Sequence, residues 1–519
     1  MTSRAGCFKI ILNMICGRAW FYFSLGLLAA WPGSRNAGAE PLFERHWFET
    51  HTAHFQTFSC GDSQEVARLA ARLEQFRDAY SLLAGGPSVA SPPIVVMAFP
   101  DHSSMEPFLP LYQGKPANLT AFFKPASDEN LIVLPLGSSV SLEAVFHEYT
   151  HLLLRHNDPF WPLWLKEGMA EIYGTFEPIG SNRARIGKPI GRHLHLLAEQ
   201  HLMPLSDLFA VTHNSAEYNE EQHQGIFYAE SWLLTHYLML GGGPARKAQF
   251  GSLTPLLRQG ETPVQAFTNA FRVPLQTIQT ELQKYLQREK LDSLELMLTT
   301  DIAAPRALSR RAITPAETCF RLGDQLLRVG RPDAAESYFK RARTFAPNSP
   351  LPLEGLGLLA SERDQSSEAV RHLQEAMQRG SVSFLGHYIY AKEKYRLSAR
   401  SGDTYSPLRG NAAAEIRAEL QKCLTLMPDF GPAHHLLGFF EMVQGDNLPL
   451  AEEHLQKAIQ LEPENQEYLF ALAQAEFMTR GLTAARRTLE PLRRPYIDAK
   501  LRKQVDDLLQ DIERKAAPR

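Results

Sequence analysis

The segment His147-Glu148-Tyr149-Thr150-His151 carries three side chains that could do metal-dependent chemistry. Two histidines spaced by four residues lie on the same face of an α-helix, so both imidazoles can bind one metal ion. Glu148, next to the first histidine, can reach a water molecule on that metal and take its proton. The alternative is a structural helix whose histidines are satisfied by carboxylates or backbone carbonyls. The spacing favours half of a hydrolytic zinc site.

A second predicted helix supplies the rest of the metal site. Two prolines end the first helix, and the pattern from Leu163 to Ile172 starts another. Glu167 follows His151 by 16 residues, which is far enough for the chain to turn and present a third ligand. Two histidines, one carboxylate and an open position for water make a catalytic zinc shell. Glu171, one helical turn later, is either a partner for the outer nitrogen of a zinc histidine or an ordinary solvated carboxylate.

These two helices resemble those of the gluzincin metallopeptidases of the peptidase MA clan. The His-Glu-x-x-His helix followed by Trp164-Leu165-Lys166-Glu167-Gly168 is similar to bacterial peptidase MA-like domains that are often joined to tetratricopeptide repeats. It is more distantly similar to the zinc aminopeptidases, which carry a Trp-Leu-Asn-Glu-Gly element. The resemblance covers roughly residues 45 to 290. It implies that His147, His151 and Glu167 bind Zn²⁺ and that Glu148 is the general base.

A helix further along the chain extends the resemblance. The segment Phe227-Tyr228-Ala229-Glu230-Ser231-Trp232-Leu233-Leu234 is similar to the helix on which the aminopeptidases carry a tyrosine that stabilises the oxyanion. Tyr228 is therefore the candidate for that role, and its alternative is a buried helical aromatic. The sequence lacks the Gly-x-Met-Glu-Asn segment that helps those enzymes to grip a free amino terminus. Endopeptidase and exopeptidase action both stay open.

Three further histidines lie between the predicted metal helices and Tyr228. They are His193, His195 and His201, in the stretch that runs from residue 192 to residue 201. A role in substrate binding or a second metal site is one interpretation. Because the last two are not spaced by four residues and have no aspartate pattern nearby, a helix with exposed histidines is the favoured one.

The elements predicted before the metal helices form a small mixed sheet with one long helix. Alternating and continuous apolar patterns predict strands, and a 3.6-residue stripe predicts the helix. The predicted elements are strands at Trp47–Thr50, His54–Phe58 and Ile94–Phe99, a strand pair at Ala121–Phe123 and Leu131–Leu134, and a helix at Gln64–Leu83. We expect Leu131–Leu134 to be a free edge that can pair with an extended peptide; the alternative is a strand with neighbours on both sides.

The composition limits the classes of protein to which the chain can belong. It has 519 residues, of which 44% are hydrophobic and 21% charged, enough for two or three globular domains. The formal net charge of −3 gives no basic surface for a nucleic acid. Of the five cysteines, two fall in the first 16 residues and three are scattered, so neither a disulfide framework nor a cysteine zinc site is indicated. One disulfide bridge is allowed by the count but not required by it.

The first residues have the pattern of a secretory signal peptide. Three basic residues precede an apolar run from Trp20 to Trp31, and small residues stand at Ala37 and Ala39. This arrangement predicts cleavage between Ala39 and Glu40 and a secreted or periplasmic protein. The alternative is an uncleaved anchor that also uses Phe8–Cys16, and only then would the chain contact a membrane.

The second half of the chain repeats itself with a period of 34 residues. The positions that define a tetratricopeptide repeat are filled by Leu322, Gly323, Ala335, Phe339, Ala342 and Pro347, and again 34 residues later by Leu356, Gly357, Ala369, Leu373 and Ala376. Three more units follow, and the first of these, the third unit of the series, is stretched by a loop at Ala399–Gly410. The resemblance to tetratricopeptide repeats implies a concave surface that binds a protein or peptide ligand.

Together these patterns predict an α+β zincin-like metallopeptidase domain followed by an all-α tetratricopeptide-repeat solenoid. The predicted divisions are a signal peptide at 1–39, the peptidase domain at 40–290, a linker at 291–315, repeats at 316–495, and a capping helix with a tail at 496–519. The leading interpretation is a Zn²⁺-dependent peptidase acting on a peptide or protein substrate. The alternatives are a non-catalytic repeat scaffold with a vestigial metal domain, and a purely structural metal site. No nucleic-acid partner is expected.

Overall fold

The computed structural model describes residues 41–84, 94–137, 141–157, 161–212, 215–219, 221–299, 309–399, 407–408, 410–463, 465–493 and 499–516. The predicted signal peptide at 1–39 and most of the predicted loop at Ala399–Gly410 lie outside these residues. Within the described part, no helix combines the length and the apolar character needed to cross a membrane. The three described cysteines, Cys60, Cys319 and Cys423, are free thiols.

The described residues form two compact units. The first contains residues 41–70, 94–137 and 309–461, and the second contains residues 71–84, 142–299 and 462–516. The strands in chain order are β1 Phe48–His51, β2 Phe55–Ser59, β3 Ile94–Phe99, β4 Leu111–Tyr112, β5 Lys115–Pro116, β6 Phe122–Lys124, β7 Asn130–Pro135, β8 Glu177–Ile179, β9 Arg183–Ile186, β10 Leu294–Met297 and β11 Arg310–Ala312.

The helices of the first part of the chain carry the metal candidates. They are α1 Ser63–Ala84, α2 His102–Met105, α3 Glu143–Asn157, α4 Leu163–Gly174, α5 Gly191–Glu199, α6 Leu205–Ala210, α7 Ala216–Asn219, α8 Glu221–His236, α9 Gly243–Arg258, α10 Pro263–Phe271 and α11 Leu275–Leu286. The later helices are α12 Pro315–Arg328, α13 Pro332–Phe345, α14 Leu351–Glu362, α15 Ser366–Gln378, α16 Phe384–Ala399, α17 Asn411–Leu426, α18 Gly431–Gln444, α19 Leu448–Leu461, α20 Gln466–Arg480, α21 Leu482–Leu489 and α22 Ala499–Ala516.

A six-stranded mixed sheet lies in the first unit, with the strand order β11-β1-β2-β3-β7-β6 among the described residues. The pairs β2/β3 and β3/β7 are parallel, and the other neighbours are antiparallel. Strand β7 therefore has neighbours on both sides, and the expectation that Leu131–Leu134 forms a free edge is wrong. The chain turns back before β7, so β6 pairs with it through Phe122↔Val133 and takes the edge position.

Helices α12 to α19 of the first unit form four consecutive pairs, and α20 with α21 forms a fifth pair in the second unit. In the pairs α12/α13, α14/α15, α18/α19 and α20/α21, short connections make the two helices antiparallel neighbours. Small residues let paired helices approach closely: a Cβ added at Gly323 would lie 2.7 Å from the ring of Phe339. This half of the chain is a helical repeat of the tetratricopeptide type, as the 34-residue period predicts.

The sheet and the first repeat share one hydrophobic core. From the sheet side it contains Trp47, Phe58, Val95, Met97, Phe99, Met105, Phe108, Leu109, Leu131 and Val133; from the later part of the chain it contains Ile313, Leu322, Leu326, Ala335, Phe339 and Leu359. Strand β11, inside the predicted linker, pairs with β1. The linker segment therefore contains ordered strands, while the division into domains and the zincin-like nature of the first part stay predictions.

A mostly half-buried group of charges also joins the sheet to the first repeat helix. Arg328 on α12 donates to Asp128 at 2.6 Å and to Asp324 at 2.8 Å, and Arg321 donates to Glu129 at 3.1 Å. Asp128 and Glu129 form the turn between β6 and β7. Because each charge has an opposite partner, the cost of removing them from water is offset by hydrogen-bonded ion pairs.

Candidate metal centre

Helix α3 owes its orientation to the apolar side of its sequence. Phe146 is buried and stacks on Phe76 of α1, with ring centroids 4.4 Å apart and an angle of 7° between the planes. Tyr149, also buried, accepts a 2.7 Å hydrogen bond from Arg77 through its hydroxyl oxygen. These contacts hold one face of α3 against α1. The polar face with His147 and His151 is thereby turned towards α4.

Every residue of helix α4 except Lys166 is buried, including its two carboxylates. It approaches α8 so closely that a Cβ added at Gly168 would lie 2.0 Å from Thr235 Oγ1 and 2.4 Å from the carbonyl oxygen of Ser231. Only glycine fits there without backbone movement. Gly168, next to Glu167, therefore allows α4 to pack closely against α8, and this packing buries the carboxylate of Glu167.

Three candidate ligand atoms converge between α3 and α4. His147 Nε2 lies 3.1 Å from His151 Nε2, and Glu167 Oε2 lies 3.4 Å from the first nitrogen and 3.2 Å from the second. Among the described residues, these three form the group whose donor atoms are close enough to hold one metal ion. Glu167 Oε2 is fully buried and makes no well-aligned hydrogen bond.

These separations fit a tetrahedral metal. Ligands about 2.0–2.1 Å from a zinc ion at tetrahedral angles lie roughly 3.3 Å from one another. The three observed separations lie close to this value. Two imidazole nitrogens and one carboxylate oxygen are also the donor types that zinc prefers, and a catalytic site with three protein ligands keeps its fourth position for water.

The electrostatics of the centre favour a positive charge between these groups. Burial alone would lower the pKa of His147, but its contact with Glu167 and the charges of Glu171 and Glu148 raise the pKa to about 9. Burial would raise the pKa of Glu167, but the charge of His151 and contacts with both histidines hold the pKa well below its usual range. A metal cation placed between these side chains would likewise balance the negative charge of Glu167.

Glu171 lies on the outer side of His147. Its Oε1 is 3.6 Å from His147 Nδ1, and its Oε2 is 3.0 Å from both His193 Nε2 and Arg192 Nη2. Burial would raise the pKa of Glu171, but these cationic and hydrogen-bonding partners lower it. Arg192 also donates to Glu143 at 2.6 Å. The carboxylate is thus held ionised at the outer nitrogen of a candidate ligand.

Two tyrosines cover the other side of the centre. The ring of Tyr228 on α8 lies 6.3 Å from the ring of His147. Tyr218 on α7 stacks on Tyr228 at 6.2 Å and donates to Glu167 Oε1 at 3.4 Å. Burial and the negative charge of Glu167 raise the pKa of both hydroxyls, so both stay protonated and can donate.

The structure brings together most of the residues that the sequence analysis selected. His147, His151 and Glu167 converge, Glu171 lies at the outer nitrogen, and Tyr228 is a neighbour, while Glu148 is half-buried on the same helix. Their chemical roles stay predictions. The expectation of exposed histidines is wrong for His193, which is buried beside Glu171 and Trp232, whereas His195 and His201 are exposed.

The sequence did not predict Tyr218 and Arg192 as members of the site, and it favoured an exposed His193. Tyr218 sits on a one-turn helix with no periodic pattern, and it reaches Glu167 only through the folding of α7 against α8. The other two lie on α5, which has an apolar and a polar face. Because Glu171 lies on a buried helix, its carboxylate needs a positively charged or hydrogen-bonding partner. That requirement is the signal that could have pointed to the basic residues of α5.

Glu230 on α8 gives a pH-dependent prediction for the stability of the same unit. Burial raises the pKa of this carboxyl from 4.5 to about 8, although it accepts a 2.7 Å hydrogen bond from the backbone N–H of Met203. The folded state therefore keeps a proton that the unfolded state releases. The resulting stability is fully present below pH 4.5 and is lost as the pH rises through about 8.

We expect Glu230→Gln to remove this dependence, because the amide stays neutral and still accepts from Met203. Thermal unfolding of both proteins between pH 5 and 8.5 measures it. The wild type should lose stability relative to the variant, on the order of 1 kcal/mol per pH unit. Parallel curves for the two proteins would contradict a neutral Glu230 in the folded state.

Part of this chain is similar to solved structures of tetratricopeptide repeat proteins. No protein-family model matches the sequence, and no curated protein matches it. A thermophilic tetratricopeptide repeat protein of Thermus thermophilus is 23% identical at a TM-score of 0.29, over 38% of this chain and 99% of that one. YrrB, a tetratricopeptide repeat protein with an unusual peptide-binding site, is 13% identical with a TM-score of 0.30, and the match covers 37% of this chain and 92% of YrrB. PilF of Pseudomonas aeruginosa is 16% identical with a TM-score of 0.30, and the match covers 39% of this chain and 87% of PilF.

Proposed function

We propose that this chain is a zinc-dependent peptidase whose repeats recruit a substrate or a partner protein. One observation carries the proposal: two imidazole nitrogens and a buried carboxylate oxygen lie 3.1 to 3.4 Å apart between two helices. Three protein ligands suit a hydrolytic centre better than a structural zinc site, which takes four. A bound zinc ion would supply Lewis acidity and a water molecule of lowered pKa.

The chain's own residues divide the remaining work. Glu148 follows His147 on α3 and is the carboxylate assigned to take the proton of the attacking water and return it to the leaving amine. Tyr228 keeps its proton because burial raises the pKa of its hydroxyl, so it can donate to an oxyanion. Glu171 Oε1 lies 3.6 Å from the outer nitrogen of His147, where its negative charge favours a proton on Nδ1 and leaves Nε2 to face the other candidate ligands.

The repeat half supports a second candidate function from a different class. The chain would then be a non-catalytic scaffold that binds a protein or peptide through its helix pairs, and its metal-site residues would be structural. The similar structures named above favour this candidate over the peptidase, because two of them are tetratricopeptide repeat proteins and none is described as a peptidase. Export from the cytoplasm belongs to both proposals.

Glu148→Gln is the variant that tests turnover. We expect the purified chain to hold about one zinc ion and to cleave members of a mixed library of unfolded proteins and peptides. In the variant the rate should fall on the order of 10²- to 10⁴-fold while zinc stays bound, because the amide cannot accept the proton of the water. Metal content by mass spectrometry and cleavage by peptide mapping are the two measurements.

Glu199→Gln is the matched control, since this exposed glutamate lies on α5 in the same unit. It should cleave at the wild-type rate. Zinc binding without cleavage by any of the three proteins would favour the scaffold. Cleavage that persists in Glu148→Gln would show that another group is the base or that a contaminating peptidase is present.

A further inference from the structure

The two carboxylate oxygens of Glu167 face different partners. Oε2 points at the two histidines, 3.4 Å from His147 Nε2 and 3.2 Å from His151 Nε2. Oε1 accepts from the hydroxyl of Tyr218 at 3.4 Å. The side chain of Glu167 is almost fully buried, at 3% exposure, so neither oxygen is satisfied by bulk water.

Tyr218 is itself held in place from two sides. Its ring is buried and stacks on Tyr228 at an angle of 27°, and it meets the edge of Phe227 at 6.0 Å. The phenol that faces Glu167 is therefore fixed by helix α8 and not only by its own one-turn helix.

We propose that Tyr218 is a positioning residue that engages Glu167 Oε1, so that Glu167 offers a single oxygen, Oε2, to the metal. The inference rests on the proposed metal site and deepens it. A carboxylate can bind a metal through one oxygen or through both. With Oε1 engaged by a phenol, the second mode is closed, and the position it would occupy stays available for water or a substrate carbonyl.

The same contact couples the carboxylate to Tyr228. Because Tyr218 donates to Glu167 and its ring stacks on that of Tyr228, the proposed oxyanion donor is positioned relative to the ligand that it must work beside. Removing the Tyr218 hydroxyl leaves the ring stack in place and deletes the hydrogen bond to Glu167. The loss would act on metal binding through Glu167, without any contact between Tyr218 and the metal.

The test is Tyr218→Phe in the full chain, with zinc affinity measured by competition against a chromophoric chelator. We expect the zinc affinity to fall about 10- to 100-fold, the usual effect of removing a partner of a metal ligand. Loading with Co²⁺ gives a readout that packing alone would not change. A second bound carboxylate oxygen raises the coordination number, so the visible cobalt band should weaken at saturating metal.

Two further tyrosine variants make the result decisive. Tyr237→Phe is the matched control, because Tyr237 is a buried tyrosine of the same unit that donates to the carboxylate of Glu281 at 2.6 Å. Tyr228→Phe keeps the contact between Tyr218 and Glu167. Both should bind zinc with wild-type affinity and show the wild-type cobalt band, and thermal unfolding of the metal-free proteins checks that all are folded.

The outcomes separate this inference from the proposal on which it rests. If the wild type binds no zinc, the metal site and the role of Tyr218 fall together. If the wild type binds zinc and Tyr218→Phe binds it equally well with an unchanged cobalt band, only the role of Tyr218 is overturned. An equal loss in Tyr228→Phe would also overturn it, since packing of the tyrosine pair would then be the cause.

Discussion

A chain that ends at residue 290 is expected to leave the six-stranded sheet unfolded. It lacks β11, the partner of β1, and all six core residues that the later part of the chain contributes, among them Leu322, Leu326 and Phe339. Each large buried side chain is worth about 1.5–3 kcal/mol. The free energy lost with these buried side chains is comparable with the whole free energy of unfolding of a domain, about 5–15 kcal/mol.

The measurement is amide hydrogen exchange of strands β2, β3 and β7. A chain ending at residue 380 is the matched control, because it keeps β11, helices α12 to α15 and every member of the shared core. Its strands should be protected as in the full chain, whereas those of the shorter chain should exchange at the rate of an unfolded peptide. Equal protection in both pieces would show that the sheet is stable without the repeat.

Replacing Glu167 by glutamine is expected to reduce zinc affinity by on the order of 10³-fold. Apparent binding energies of structural zinc sites are about 10–16 kcal/mol over their ligands, so one ligand accounts for several kcal/mol. The amide keeps the volume of the side chain and can still accept from Tyr218 through its oxygen. The change therefore removes the negative charge and the strong ligand with little disturbance of packing.

Glu171→Gln provides the graded comparison for this variant. Of the three candidate ligands, Glu171 contacts only His147, at its outer nitrogen, so its loss should reduce zinc affinity by about 10- to 100-fold. Chelator competition measures both variants, and circular dichroism checks that their helices are intact. A Glu167→Gln protein that binds zinc as tightly as the Glu171→Gln protein would mean that Glu167 is not a ligand.

The location of the site was predictable because its main signals are local. His147 and His151 share a helix face through their spacing alone, and the next predicted helix brings Glu167 to them. Tyr218 and His193 were not predictable in this way. Each reaches a glutamate of α4 from a helix far along the chain, so its position depends on packing that no periodic pattern records.

The sheet shows the same division between local and distant signals. Strands and the helix α1 follow the apolar patterns to within a residue or two, since alternation and the 3.6-residue period are local properties. The neighbour of β1 was missed because Arg310–Ala312 is a three-residue exposed strand with an unremarkable sequence. The edge position of Leu131–Leu134 was wrong because strand order depends on pairing and not on composition.

The pairing of β1 with β11 has a consequence for the order in which this protein can be assembled. Glu49 and Arg311 form an ion pair across that pair of strands, although they lie 262 residues apart in the chain. A contact of such long sequence separation closes late, because the entropy of a large loop must be lost first. During synthesis the ribosome therefore releases β1, β2 and β3 well before their cover exists. The growing chain carries an open strand edge and unburied aromatic residues until the first repeat emerges, which is the interval in which a chaperone that holds unfolded chains would act on it.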